Sequence, residues 1–279
     1  MGILDGKAIV VTGAGRGLGR AYAEHAAAAG AAVVVNDVHG AEEVASGIRE
    51  AGGRAIAGPR SVADPGQAVA LIDDCVREFG ALDGLVTNAA VSYHTPPWED
   101  DDPARMREVV EVNILGTLYC GTAAAKVMHA QGHGAIVNAA SGSMLGQGRA
   151  AAYSASKGAV ASMTFSWAAD LAEHGVRVNG ICPRAWTPMM EADPKAAIRS
   201  NRDETPDRMA PLVTYLLSDL SARVNGQLVR FAGDKLHIVR QAGIKEPVLS
   251  NETWDVSDIA AAFERELKVE VRSARNWAV

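Results

Sequence analysis

The sequence predicts an α/β fold: a doubly wound sheet of seven parallel strands with helices on both faces, followed by a C-terminal extension. Short apolar runs that suit buried strands alternate with longer segments of strong helix formers. Strands joined through helices form right-handed βαβ units, which build parallel sheets covered on both faces. No Pro- or Ser-rich linker interrupts this alternation, so residues 1–233 are predicted as one domain and residues 234–279 as the extension.

The elements follow in order from a first strand that enters a Gly-rich turn. The predicted strands cover residues 7–12, 32–36, the vicinity of 55, 84–87, 135–138, 177–181 and 227–231. The predicted helices cover residues 18–29, 41–51, 65–79, 104–129, 153–174 and 207–218. In the extension, Ser257 is predicted to cap a helix running to about residue 267, with Ile259, Phe263 and Leu267 on one apolar face.

Composition argues against several classes of function. The formal net charge of −6 disfavours nucleic acid or an anionic membrane as the main partner. The three cysteines are widely spaced, which does not suggest a disulfide framework. The sequence contains no CxxC pair that would suggest a metal site. No uncharged apolar run reaches the ~18 residues of a membrane span. These features predict a cytoplasmic protein with buried free thiols and no bound metal.

The turn after the first strand has the pattern TGxxxGxG over residues 12–19. Glycines there allow a tight turn and a close approach of the backbone to a pyrophosphate, and the following helix N-terminus supplies free N–H groups. We expect nucleotide contacts from Gly13, Arg16, Gly17, Leu18 and Gly19.

Asp37 closes the second strand, at the distance from the glycine turn where a carboxylate can accept hydrogen bonds from adenosine ribose hydroxyls. The same carboxylate would repel a 2′-phosphate. Arg16 acts in the opposite direction, but an exposed Arg–phosphate pair contributes little. A dinucleotide cofactor without a 2′-phosphate is therefore predicted.

Tyr153 and Lys157 form a YxxxK pair at the start of a predicted helix, where i, i+4 spacing puts both side chains on one face. An ammonium beside a phenol favours the phenolate, so the pair can perform acid/base chemistry on an alcohol or a carbonyl. Ser141, at the end of the preceding strand, can donate a hydrogen bond to the substrate oxygen beside Tyr153. His94 follows the fourth strand and is interpreted as a surface loop histidine.

Several motifs also occur together in the order typical of one family. They are TGAGRGLG at 12–19, TNAA at 87–90, VNILGT at 112–117, the Ser141 region, YSASK at 153–157 and VNGICPRAWTPM at 178–189. Over about residues 3–233 the chain resembles the short-chain dehydrogenases/reductases. The resemblance implies a Rossmann-like fold and hydride exchange between a nicotinamide cofactor and a carbonyl or alcohol carbon. With Asp37 in place, NAD is predicted in preference to NADP.

The resemblance also implies roles for individual positions. Tyr153 would be the acid/base, Lys157 would bind the nicotinamide ribose and lower the pKa of Tyr153, and Ser141 would orient the substrate oxygen. Asn113 would kink its helix and hold a water that relays protons through Lys157. Further cofactor contacts would come from Ser61, Val62, Asn88, Ala89, Pro183, Trp186 and Thr187.

Four positions depart from the family pattern. Ala90 replaces the last Gly of NNAG, Ser61 replaces an Asp after the third strand, and Arg184 replaces the Gly of the usual Pro-Gly. Ser141 lies 12 residues before Tyr153, where 13 is usual. A one-residue deletion in the loop between them explains this spacing, and Ser143 is the alternative hydroxyl donor.

The family resemblance leaves the substrate open. Residues 13–23 and 33–37 look most like the hydroxyacyl-CoA dehydrogenase domain of multifunctional enzymes and bacterial relatives, which implies a secondary alcohol such as a 3-hydroxyacyl-CoA. The alternatives are a 3-oxoacyl carrier-protein reductase, a reductase of steroids or other carbonyls, and a non-catalytic nucleotide-binding scaffold. The resemblance implies a homotetramer or homodimer built on the helices near 104–129 and 153–174, and the extension is predicted to contact a neighbouring subunit.

Overall fold

A computed structural model of the chain describes residues 2–191, 201–241, 243 and 245–267. The chain divides between Val239 and Arg240 into two compact units. Residues 268–279 of the predicted extension lie outside the described residues.

The first unit is built on a sheet of eight strands in the order β3-β2-β1-β4-β5-β6-β7-β8. The strands are β1 Ala8–Val11, β2 Ala32–Asn36, β3 Arg54–Gly58, β4 Gly84–Thr87, β5 Gly134–Ala139, β6 Val176–Arg184, β7 Leu228–Ala232 and β8 Lys235–Ile238. Strands β1 to β7 pair in parallel, as predicted, whereas β8 pairs antiparallel with β7. The predicted count of seven strands is therefore corrected to eight, and the sheet continues past residue 233. β8 was not predicted because three of its four residues are exposed, so its sequence lacks the apolar run that is typical of a buried strand.

Helices cover both faces of the sheet. They are α1 Gly17–Ala28, α2 Ala41–Glu50, α3 Pro65–Phe79, α4 Pro103–Val109, α5 Gly116–Gln131, α6 Ala151–Leu171, α7 Pro188–Glu191 and α8 Ala210–Leu217. None of the described helices is long and apolar enough to cross a membrane.

The strands serve two separate cores because their side chains alternate between the two faces. Ile9 and Val11 of β1 pack into the core under α1, α2 and α8, whereas Ala8 and Val10 pack into the core under α3 and α5. All four side chains are buried, which is why the strand reads as a continuous apolar run rather than an alternating one.

The order of the strands creates a crevice at one edge of the sheet. β1 pairs with β2 on one side and with β4 on the other, so the connections leave β1 and β4 in opposite directions. Ligands of open α/β sheets bind outside the carboxyl ends of the strands at such a switch point. The fold therefore brings the glycine turn after β1 close to the segment that follows β4.

The single helix predicted over residues 104–129 is three segments. A π-helical stretch, Val110–Leu115, separates α4 from α5. The six residues of this stretch contain no proline or glycine that would mark a break, so the sequence predicts one continuous α-helix here.

The second unit contains α9, Val256–Arg265. Its N-cap is Asp255, whose carboxylate accepts from the Asp258 N–H at 2.8 Å while the Asp258 side chain accepts from the Asp255 N–H, forming a capping box. The prediction that Ser257 caps this helix was wrong, since Ser257 instead donates to Asp255 at 2.6 Å. Apolar side chains of this unit line a cavity of about 250 Å³; they are Leu249, Trp254, Ile259, Ala262, Phe263 and Leu267.

Candidate active site

The glycine turn after β1 leaves no room for side chains. Gly13 and Gly17 have φ angles of +64° and +58°, in the left-handed region that favours glycine. A Cβ on Gly13 would lie 2.6 Å from the Cα of Ala89, and a Cβ on Gly19 would lie 2.1 Å from the carbonyl oxygen of Gly13. The turn is therefore a bare backbone surface, as close approach of a pyrophosphate requires.

Helix α1 starts directly at this turn. Its N-cap residue is Arg16, whose side chain makes no capping hydrogen bond and is exposed. The N–H groups of the first turn, with the positive end of the helix dipole, are thus oriented for an anion. Leu18 is half-buried and packs against the core beneath α1. These residues fit the phosphates of a dinucleotide.

Asp37 faces the same turn from the end of β2. One carboxylate oxygen accepts from the Gly15 N–H at 3.0 Å, and the other accepts from the His39 N–H at 3.1 Å. The carboxylate is thereby fixed beside the phosphate loop. The sequence analysis omitted Gly15, although a Cβ at this position would lie 2.0 Å from the His39 carbonyl oxygen.

A hydrogen-bonded hub ties the crevice together across the β1–β4 boundary. The Thr12 hydroxyl accepts from the Asn88 N–H at 2.9 Å and from the Ala89 N–H at 3.1 Å. The Asn88 amide donates to the carbonyl oxygens of Thr12 and Gly13, at 3.1 and 3.0 Å. Asn88 thus holds the glycine turn against β4, and Thr12 is a site residue that the sequence analysis missed.

The segment after β3 carries two of the predicted cofactor contacts, Ser61 and Val62. The Ser61 N–H donates to the Gln67 side chain at 2.9 Å. Val62 is buried and packs against Gly116 at the start of α5, where a Cβ would lie 2.7 Å from a Val62 methyl group. The acidic residue of this loop is Asp64, which caps α3 by accepting from the Gln67 N–H at 2.8 Å.

Tyr153 and Lys157 lie on the first two turns of α6. The Lys157 ammonium lies 5.7 Å from the centroid of the Tyr153 ring and donates to the Ala139 carbonyl oxygen at 2.6 Å. Lys157 is 4% exposed. The pair therefore sits where the carboxyl end of β5 meets α6.

Burial controls the acid/base properties of both groups. It raises the pKa of Tyr153 to about 12, while the Ser141 hydroxyl acts in the opposite direction. Burial also lowers the pKa of Lys157 to about 8. The phenol thus holds its proton at neutral pH, and a cation bound beside it would lower its pKa.

Of the two candidate hydroxyls, Ser141 is the one that lowers the pKa of Tyr153, against the larger effect of burial. Ser141 accepts from the Ser143 N–H at 3.1 Å and donates to the Ser143 hydroxyl at 3.2 Å, while Ser143 donates to Gln147 at 2.6 Å. His94 lies beside this loop, within 3.2 Å of the Gln147 amide, in a half-buried position that differs from the surface interpretation.

Asn113 is fully buried in the π-helical stretch. Its amide group exchanges two hydrogen bonds with the backbone of Val91, at 2.8 and 2.9 Å, and donates to the Ser156 hydroxyl at 3.0 Å. The Asn113 carbonyl oxygen accepts from Thr117 at 2.8 Å. Asn113 thus links the segment after β4 to α6.

The remaining predicted cofactor contacts lie at and just after the end of β6; they are Pro183, Trp186 and Thr187. Pro183 and Arg184 belong to β6 itself, and the Arg184 guanidinium binds both carboxylate oxygens of Glu204, at 3.0 and 2.6 Å. The Trp186 N–H donates to the Glu204 carbonyl oxygen at 2.7 Å. Thr187 approaches the glycine turn, since a Cβ on Gly17 would lie 3.8 Å from the Thr187 Cβ.

Known proteins share both this sequence pattern and this geometry. A family model described as short chain dehydrogenase matches residues 7–198. The chain belongs to the short-chain dehydrogenase family. The cis-4-hydroxycyclohexanecarboxylate dehydrogenase of Sinomonas cyclohexanicum is 39% identical over 234 residues, covering 80% of this chain and 94% of that protein.

Two solved structures share the fold over most of their length. A short chain dehydrogenase from Mycobacterium avium aligns with a TM-score of 0.85 and 30% identity over 97% of this chain and 98% of that chain. A gluconate 5-dehydrogenase from Burkholderia cenocepacia J2315, in complex with NADP and tartrate, aligns with a TM-score of 0.75 and 33% identity over 82% of this chain and 95% of that chain.

As a short-chain dehydrogenase, the protein is an oxidoreductase that acts on CH–OH groups and interconverts a secondary alcohol and a ketone with an NAD(P) cofactor. The predicted enzyme class is confirmed, and the non-catalytic scaffold is set aside. Among the described residues, no group of three or more His, Cys, Asp or Glu side chains is arranged to hold a metal ion.

Proposed function

We propose that this enzyme is an NAD-dependent dehydrogenase of a secondary alcohol carried on a six-membered carbocycle. The observation that carries the cofactor choice is the fixed carboxylate of Asp37 beside the phosphate loop. The observation that carries the substrate class is the 39% identity to a dehydrogenase named for a hydroxycyclohexanecarboxylate.

Asp37 favours NAD because both of its carboxylate oxygens are held by backbone N–H groups of the crevice. A carboxylate so anchored cannot turn away from a 2′-phosphate, whereas it can accept from both ribose hydroxyls. One structural relative binds NADP and another, a 7α-hydroxysteroid dehydrogenase, binds NADH, so membership of the family does not fix the choice of dinucleotide. Asp37, the residue after β2, is therefore the expected discriminator.

In the proposed reaction, a nicotinamide cofactor held by the glycine turn, Asp37 and Lys157 would supply the hydride acceptor for alcohol oxidation and the hydride donor for ketone reduction. Tyr153 takes the alcohol proton during oxidation and gives it back during reduction. Ser141 donates a hydrogen bond to the reacting oxygen and aligns it with Tyr153. Lys157 holds the nicotinamide ribose and stabilises the phenolate, while Asn113 fixes the start of α6 through Ser156.

The alternative substrate is a 3-hydroxyacyl-CoA. Its support comes from residues 13–23 and 33–37, which form the glycine turn, α1 and β2. These elements belong to the cofactor side of the crevice, so they carry no information on the alcohol. The carbocyclic alcohol rests instead on identity over 234 residues.

One screen tests both parts of the proposal. Purified enzyme is mixed with NAD or NADP and with cis-4-hydroxycyclohexanecarboxylate, cyclohexanol, gluconate, a hydroxysteroid or 3-hydroxybutyryl-CoA, and the absorbance of the reduced nicotinamide is followed. We expect the highest kcat/KM with NAD and one of the two monocyclic alcohols, cis-4-hydroxycyclohexanecarboxylate or cyclohexanol. A higher kcat/KM for the CoA ester or for gluconate would refute the substrate class, and a higher value with NADP would refute the cofactor choice.

We also propose a homo-oligomer in the cytoplasm, a tetramer or a dimer assembled on α5 and α6, to which the C-terminal extension contributes. Three buried free thiols suit a reducing compartment. The helix α9 carries Ile259 and Phe263, exposed by 45% and 56%, on an apolar face that a neighbouring subunit can bury. Removing residues 240–279 and measuring the mass by light scattering tests this role. An unchanged number of subunits with unchanged kinetics would refute it.

A further inference from the structure

A chain of hydrogen bonds leads away from Ser141 in a single direction. Ser141 donates to Ser143 at 3.2 Å, and Ser143 donates to the amide oxygen of Gln147 at 2.6 Å. The Gln147 amide nitrogen then meets the ring nitrogen Nε2 of His94 at 3.2 Å. The amide oxygen of Gln147 accepts from Ser143, and the NH₂ group of Gln147 therefore donates to His94.

Gln147 is held in place by contacts on both sides of the site. Its N–H donates to the hydroxyl of Ser154, the residue after Tyr153, at 3.1 Å. Its carbonyl oxygen accepts from the Ala150 N–H at 3.2 Å. Ala150 in turn forms an isolated parallel bridge with Thr95, beside His94. Gln147 therefore joins the loop after β5 to the start of α6 and to the segment after β4.

The backbone of this loop carries strain. Arg149 has a φ angle of +64° and is the positive-φ non-glycine residue among the described residues. A side chain disfavours this conformation, which persists only where the surroundings fix it, and such positions cluster at functional sites. The strained turn over residues 147–150 places Gln147 within reach of Ser143.

We propose that Gln147, acting through Ser143, is a positioning residue that sets the direction of the Ser141 hydroxyl. The short bond to Gln147 commits the Ser143 hydroxyl proton, so the Ser143 hydroxyl offers Ser141 only an acceptor. The Ser143 N–H meanwhile fixes the Ser141 oxygen at 3.1 Å. The Ser141 hydroxyl can then rotate its proton away from the 3.2 Å hydrogen bond with Ser143 and donate it in a hydrogen bond to the substrate oxygen, while the Ser141 oxygen stays in place. The inference rests on the proposed role of Ser141 in the reaction.

The test is a double-mutant cycle on the best alcohol substrate. Gln147→Met keeps the size of the side chain and removes the acceptor, so kcat should fall about tenfold while the KM for the cofactor stays unchanged. In the Ser141→Ala background, Gln147→Met should cause no further loss, because the hydroxyl that it positions is gone. Gln147→Glu, which keeps an acceptor for Ser143, should recover most of the activity.

A matched control separates positioning from general destabilisation. Gln131 also makes two hydrogen bonds, to the N–H and carbonyl oxygen of Leu82 at 3.0 and 2.9 Å. Gln131→Met should therefore lower the thermal midpoint and leave kcat unchanged. Multiplicative losses in the double mutant, unchanged kcat in Gln147→Met or failure of Gln147→Glu to recover activity would each overturn the proposal. A Ser141→Ala enzyme with full activity would instead refute the assigned role of Ser141.

Discussion

Replacing Asp37 by Asn should reverse much of the expected preference for NAD. The substitution removes the negative charge but keeps the size of the side chain and one acceptor for the Gly15 or His39 N–H, which bind Asp37 at 3.0 and 3.1 Å. The cofactor crevice should therefore keep its shape. The change isolates the charge beside the ribose.

The expected magnitude follows from the charge and the exposure of this carboxylate. Two unit charges about 4 Å apart repel by about 4 kcal/mol at an effective dielectric of 20. Asp37 is half-buried, and solvent and salt reduce this to about 2 kcal/mol. NADP should thus bind about 30-fold more tightly to Asp37→Asn. NAD should bind about fivefold more weakly, because a charged acceptor for the ribose hydroxyls becomes a neutral one.

Calorimetric titration of wild type and variant with both cofactors measures these changes. A control is Asp102→Asn, which alters the cap of α4, whose carboxylate accepts from the Ala104 N–H at 3.0 Å, and should leave both affinities unchanged. The change in NADP affinity should shrink at high salt, since screening weakens the repulsion. A ratio of the two affinities that stays within about threefold of wild type would refute the role of Asp37.

Three further substitutions have defined outcomes. Tyr153→Phe should lower kcat by roughly 10²–10⁴-fold with cofactor affinity retained, and near wild-type turnover would contradict its acid/base role. Burial lowers the pKa of Lys157 from 10.5 to about 8. Below pH 8 the buried ammonium therefore destabilises the folded state by about 3 kcal/mol. This penalty disappears as the pH rises from 8 to 10.5, because the folded protein then loses the proton before the unfolded chain does. In urea titrations, the free energy of unfolding of Lys157→Met minus that of wild type should accordingly fall between pH 8 and 10.5. A difference that stays constant over this range would contradict the lowered pKa of Lys157. The Tyr22 hydroxyl is buried and has no hydrogen-bond partner among the described residues. Tyr22→Phe should therefore raise the free energy of unfolding by about 1 kcal/mol. A lower thermal midpoint for this variant would show that the hydroxyl has a partner.

Local patterns explain why much of the site could be predicted. The glycine turn depends on backbone clearance near Gly13 and Gly19, and only glycine provides it, so the sequence pattern and the geometry coincide. The i, i+4 spacing of Tyr153 and Lys157 fixes their common face once α6 forms. Buried strands such as β1 and β2 are recognisable because both of their faces are apolar.

Other features depend on contacts between distant segments, which spacing does not reveal. The interaction of His94 with Gln147 joins residues 53 positions apart, and the Thr12 hub joins residues 76 and 77 apart. Strand β8 is stabilised by pairing with β7 rather than by burial of its own side chains, so its sequence resembles a polar loop. Asp255 and Ser257 are both good N-caps, and the capping box with Asp258 decides between them.

The three buried cysteines give the molecule internal reporters of its own opening. Cys75 and Cys120 lie in the core under α3 and α5, and Cys182 lies in a third, smaller apolar cluster with Val160 and Leu228, near Lys157. Burial raises the pKa of Cys75 and of Cys120 to about 12, so alkylating reagents can react only when these helices lift from the sheet. The rate of thiol labelling at each cysteine, measured with and without cofactor, would therefore show which parts of the dehydrogenase open locally and in which parts the bound cofactor suppresses that opening.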